Sequence, residues 1–118
     1  MRWLPNWKWC NYRERAVQID MAKQRREQIR WVLLLTLNNA RPYGAQELVM
    51  LGTAQGVYPD ATGLEVRREL DYLEGRRLVD IERAPSGPWR AELTRYGVDI
   101  AEYTIECEPG IGRPAKYW

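Results

Sequence analysis

The chain contains no histidine, and its two cysteines, Cys10 and Cys107, stand near opposite ends with no CxxC pair. Ser-His-Asp triads and Cys-His pairs need an imidazole as base, and structural zinc sites draw on clustered cysteine and histidine. These absences exclude all three chemistries, so no metal, cofactor or catalytic group is expected. Long apolar runs are also missing. The longest, Trp31–Leu35, falls far short of the roughly 20 residues that a membrane span requires. Met1–Cys10 carries charges and Pro5 where a secretory leader needs an apolar stretch. No leader is therefore expected, and reduced cysteines in the cytoplasm are. Carboxylates such as Glu69 and Glu74 read as surface helix charges with no cleft implied, so the chain is not expected to be an enzyme.

What is present is charge in near balance, 18 Lys and Arg against 16 Asp and Glu over 118 residues, net +2. The balance is uneven along the chain. Residues 1–30 hold eight Lys and Arg against three Asp and Glu. Such a segment either binds phosphate or another anionic surface, or is simply a solvated helix face. Residues 1–11, M-R-W-L-P-N-W-K-W-C-N, contain three of the six tryptophans. Indole rings seek a surface. The candidates are this chain's own domain, a second copy, a protein partner, or a membrane interface beside Arg2 and Lys8. The organisation is read as a Trp-rich basic arm (1–19), one domain (20–106) and an extended tail (107–118).

Tyr12–Asn39 lacks proline and glycine and predicts a long helix, or two joined without a strong stop, firmest over Asp20–Asn38. Ile29, Val32, Leu33, Thr36 and Leu37 make one stripe, while Trp31, Leu34 and Leu35 lie off it. A helix apolar on more than one face is covered on more than one face. Pro42 and Gly44 then break the chain. Ala45–Gln55 predicts a short second helix with Leu48, Val49 and Leu51 inward. A turn over Gly56–Asp60 leads to the third helix, Thr62–Gly75. There Thr62 and Glu65 have capping-box spacing, Gly75 is placed to close the helix in the left-handed conformation, and Val66, Leu70 and Leu73 share a face. Leu78–Glu82 and Trp89–Leu93 predict two strands joined by the loop R-A-P-S-G-P. Thr94 caps a last helix, Thr94–Glu106, with Val98, Ala101 and Ile105 inward and Gly97 allowing a close backbone approach. The order helix-helix-helix-strand-strand-helix is that of a winged helix-turn-helix with an N-terminal arm and a C-terminal tail: mainly α with a small β-hairpin.

Three motifs carry a resemblance. They are E-V-R-R-E-L-D-Y-L-E-G-R-R-L-V (Glu65–Val79), L-T-R-Y-G-V-D-I-A (Leu93–Ala101) and G-I-G-R-P (Gly110–Pro114), following D-M-A-K-Q-R-R (Asp20–Arg26). Together they resemble the small winged-helix proteins encoded in Mu-like phages and prophages, over roughly residues 20–114. The resemblance implies a winged-helix fold and a phage or prophage context.

If the third helix enters a major groove, Leu64, Arg67, Arg68 and Asp71 face outward. Arg68 is then placed for a guanine edge or a phosphate and Arg67 for a phosphate. Arg83, Ser86 and Gly87 of the wing, and Arg25, Arg26 and Arg30 of the first helix, complete the candidate DNA-binding set. Against it, Glu65, Glu69, Asp71 and Glu74 share the third helix, and Asp71 is spaced to pair with Arg67 or Arg68. The wing carries no Lys or Arg between Ala84 and Trp89. Two readings stay open. One is a transcriptional regulator or accessory protein on double-stranded DNA, working as a homodimer. The other is a winged helix that holds a phage or host protein. Trp3, Trp7, Trp9, Trp31, Leu34, Leu35 and Leu64 are the expected dimer or partner contacts.

Overall fold

The computed structural model describes residues 7–118, with side chains from Met21 onward. Trp3 and the side chains of Trp7, Trp9 and Cys10 lie outside the described residues. The order is α1 (Trp7–Asn39), β1 (Ala45–Gln46), α2 (Glu47–Val57), α3 (Gly63–Gly75), β2 (Val79–Glu82), β3 (Arg90–Leu93) and α4 (Arg95–Ala101). The fold is mainly helical, four helices with a small three-stranded antiparallel sheet in the order β1-β3-β2.

α1 is one unbroken helix and not two joined, as the absence of proline and glycine from residues 12–39 permits. Its second half supplies the core: Ile29, Leu33 and Leu37, but also Trp31 and Leu34. α1 packs against α2, α3, α4 and β3, and Trp31 meets the ring of Tyr103 edge-on at 5.9 Å. The second apolar face of α1 is therefore covered within the chain. Trp31 and Leu34, expected as partner contacts, are core residues; Leu35 stays partly exposed.

The strand β1 corrects the expected start of the second helix. Ala45 pairs with Ala91 and Gln46 with Arg90, and the amide of Glu47 donates to the carbonyl of Trp89 at 2.8 Å. Ala45 is drawn into the sheet and the core, and the helix begins two residues late. Met50 and Ala54 become its buried side, Leu51 is half-buried, and Leu48 and Val49, expected inward, are exposed at 69% and 54%.

α3 starts as its sequence dictates, with the amide of Glu65 donating to the Thr62 hydroxyl at 3.2 Å. Its end differs. Gly75 is still helical, and Arg77 takes the left-handed conformation at φ 64. The amides of Leu78 and Arg77 donate back to the carbonyls of Leu73 and Glu74 at 3.0 and 2.9 Å, the two bonds of a Schellman cap. The gain is packing: Leu78 drops into the core against Leu73. α4 ends by the same device. Tyr103 sits at φ 62, the amide of Thr104 donates to Asp99 at 2.9 Å and that of Tyr103 to Ile100 at 3.3 Å. This stops the helix at Ala101, five residues short of the expected Glu106, and turns the Tyr103 ring onto Trp31. Gly97, Ile100 and Ala101 are its buried residues, with Val98 and Ile105 half-buried.

The last segment is extended yet tied down. Arg30 of α1 donates to the carbonyl of Gly110 at 2.8 Å, and the amide of Gly112 donates to Glu27 of α1 at 2.9 Å. Arg76 reaches Pro109 and Glu108, both at 3.0 Å. Arg113 donates to the carbonyls of Ile100 and Ile105 at 3.1 and 2.9 Å, and Ile111 is buried. G-I-G-R-P is thus a clasp across α1, the end of α3 and the end of α4. Gly110, at φ 110, has no room for a side chain against the Tyr72 hydroxyl.

Candidate nucleic-acid interface

The capped start of α3 and its Val66-Leu70-Leu73 stripe leave Leu64, Arg67, Arg68 and Asp71 off the core. Leu64 is 67% exposed. The arginines at this surface divide by what holds them.

Arg67 is occupied by α2. Its guanidinium donates to the Glu47 carboxylate through Nε at 2.9 Å and Nη2 at 2.8 Å, and more weakly to the Gly87 carbonyl at 3.4 Å. The same carboxylate accepts the backbone N–H of Trp89 at 3.0 Å. The hydrogen bond from Arg67 holds the Glu47 carboxyl below its ordinary pKa, against a smaller opposing effect of burial. Arg83, at the base of the β2–β3 loop, donates to Asp71 at 2.6 Å and to Glu74 at 2.7 and 3.1 Å. Those bonds raise the Arg83 pKa, Glu74 first and Asp71 next, and lower that of Glu74. Both guanidiniums stand over the indole of Trp89, at 4.7 and 4.8 Å from the ring centroid. Glu47, Arg67, Trp89, Arg83, Asp71 and Glu74 form one network that fastens the loop base to α2 and α3. Asp71 pairs with Arg83 rather than with the arginines of its own helix.

Arg25 and Arg30 are occupied as well. Arg25 binds Glu65 at 2.7 and 2.9 Å and Asp60 at 3.0 and 3.2 Å. The bond from Arg25 is the first cause of the lowered Glu65 pKa. Arg30 donates to Glu69 at 2.7 Å and lies over the Tyr72 ring at 3.5 Å from its centroid. Glu69 is 2% exposed, so it is a core anchor and not the surface charge that helix position suggested. Arg30, half-buried between Glu69 and the Gly110 carbonyl, is a structural residue and is withdrawn from the DNA-facing set.

Arg26 and Arg68 differ from these four. Both are exposed, and neither has a carboxylate partner among the described residues. They line the same cleft of about 310 Å³ between α1 and α3, with Leu64 at its edge. Ser86 and Gly87 are exposed on the β2–β3 loop. The structure thus brings Arg67, Arg83, Trp89 and Gly87 together on one side of α3, and Arg25, Arg26 and Arg68 on the other. Sequence reasoning missed Glu47, which meets Arg67 across 20 residues, and Trp89, which meets Glu47 across 42; no local pattern signals either pairing. A larger groove, about 860 Å³, runs beneath the tail, but its Arg113 is occupied by helix-end carbonyls. Among the described residues no group of His, Cys, Asp and Glu is placed to hold a metal, and no helix is long and apolar enough to cross a membrane.

No known protein family and no curated protein matches the chain. Among solved structures it is similar to a protein from Ralstonia eutropha JMP134, described as a "putative DNA-binding protein", with 22% identity and a TM-score of 0.55 over 66% of this chain and 95% of that one. The likeness is one of fold.

Proposed function

We propose that this chain is a winged helix-turn-helix protein that contacts double-stranded DNA, a transcriptional regulator or DNA-associated accessory protein of phage or prophage origin. The observation that carries the reading is α2, a turn and a capped α3 with Arg67 and Arg68 off the core, followed by a two-stranded loop fastened beside α3. The fold likeness above supports it, and the resemblance of Glu65–Val79, Leu93–Ala101 and Gly110–Pro114 to proteins of Mu-like phages supports the phage context. In this reading the chain works in the bacterial cytoplasm, uses no cofactor and is not an enzyme. A homodimer draws on Leu35 and Leu64, since Trp31 and Leu34 are core; light scattering giving a monomer mass removes it.

Affinity is expected to be modest, because phosphate neutralisation dominates most DNA complexes and Arg25, Arg67 and Arg83 are held by carboxylates. The deciding experiment is fluorescence anisotropy of a labelled random duplex at low and moderate salt. Binding that weakens steeply with salt is expected. No binding even at low salt sinks the DNA reading in favour of a second one, a winged helix that holds a phage or host protein. The exposed Leu48 and Leu64 favour that alternative.

A further inference from the structure

We infer that the cleft between α1 and α3 is a phosphate-binding site in which Arg26 and Arg68 share one phosphate group; on the DNA-binding reading above, on which the identity of the ligand rests, that group is a single backbone phosphodiester. The cleft has the room: 310 Å³ is the volume of about ten waters, enough for a phosphodiester with part of its hydration. Its electrostatics single out the same two residues. The two carboxylates in the cleft, Glu65 and Glu69, are already paired, with Arg25 at 2.7 Å and with Arg30 at 2.7 Å. Their charge is met before any ligand arrives. Arg25 is in turn held by both Glu65 and Asp60. Arg26 and Arg68 remain as cations of the cleft with no carboxylate among the described residues, one from each wall. Guanidinium forks suit phosphate oxygens, and two forks from separate helices fix an oxyanion between them. Leu64, at the edge of the cleft, offers an apolar contact to the sugar beside a bound phosphate.

The assignment moves the principal phosphate contact away from the side of α3 that faces the β2–β3 loop. Arg67 and Arg83 must break bonds to Glu47, Asp71 and Glu74 before they can reach a ligand, whereas Arg26 and Arg68 break none. The two sides of the helix therefore answer differently to substitution.

The experiment titrates a labelled random duplex into the intact protein and into Arg26→Ala, Arg68→Ala, the double variant and Arg67→Ala, over a series of salt concentrations. For one shared phosphate, the double variant makes the slope of log affinity against log salt shallower by about 0.9. Each single variant weakens binding but keeps an arginine on the phosphate and so loses less slope, and Arg67→Ala leaves the slope unchanged. A double variant whose slope matches that of the intact protein, or one that loses the slope of two phosphates, overturns the shared site while leaving DNA binding standing. If the intact protein does not bind duplex at all, inorganic pyrophosphate decides, followed by the side-chain Nε–Hε NMR signals of arginine. Movement of the Arg26 and Arg68 signals together keeps the phosphate site and removes DNA as its ligand. Signals that stay still remove both.

Discussion

Glu69 shows how one residue decides between a surface and a core. A carboxylate at 2% exposure is tolerable only with a counter-charge, and Arg30 supplies it at 2.7 Å. Removing one partner of such a pair strands the other, whereas replacing both with apolar groups of similar size is nearly neutral. Glu69→Ala is therefore expected to cost about 3 kcal/mol in urea denaturation. The pair Glu69→Leu with Arg30→Met should recover most of that loss. The exposed-side pairs report through pH instead. Glu47, Glu65 and Glu74 all have lowered pKa values, first because arginine donates to each of them. Below the ordinary carboxyl value of 4.5 the unfolded chain binds more protons than the folded one. Stability is thus fully present above that value and is lost as pH falls through the lowered folded values. Thermal melts taken from pH 7 downward should show the midpoint dropping below about pH 4.5, and Glu47→Gln should flatten part of the fall.

At the scale of elements, both glycine expectations can be weighed against the backbone. Gly97 behaves as its place in the first turn of α4 suggested. A methyl group there collides with the Leu78 carbonyl oxygen, which also accepts the amide of Thr94 at 3.1 Å. Gly75 does not, because the closing residue is chosen by where Leu78 must land and not by which residue best tolerates a left-handed φ. A buried glycine and an exposed one therefore diverge in a test. Gly97→Ala is expected to destabilise by roughly 1–3 kcal/mol through overpacking. Gly52→Ala, in open space on α2, is expected to stabilise by up to about 1 kcal/mol through helix propensity. Chemical denaturation of both variants measures the contrast; equal effects would mean that α4 does not seat on the β2 start as described.

At the scale of the whole molecule, the helices, their order and the two main strands were legible because each rests on local signals: apolar spacing, a Thr cap, a Pro-Gly loop. What escaped was non-local. β1 exists because Ala91 lies opposite Ala45, and the sequence around Ala45 reads as helix. The early stop of α4 at Ala101 sets the Tyr103 ring on Trp31, a contact across most of the chain. Of the candidate site, Arg26, Arg68, Ser86 and Gly87 are exposed as their positions implied, while the occupation of Arg67 by Glu47 and of Arg30 by Glu69 needed the tertiary fold. The tail escaped most fully, since nothing in G-I-G-R-P announces three separate anchors. Ile111→Ala is expected to lower global stability by about 2 kcal/mol. It should also speed hydrogen exchange at the Gly112 amide, which a tail lying loosely on the surface would not show.

The clasp also orders events in time. The bond between Arg30 and the Gly110 carbonyl joins positions 80 residues apart, and contacts of that span are slow to form because the intervening chain must first be gathered in. During synthesis residues 110–113 emerge after every helix and strand they hold. Of the helices described, the earliest made, α1, is therefore the last to be completed, and until the clasp arrives the Arg30–Glu69 pair is open to water on the side that Gly110 later closes.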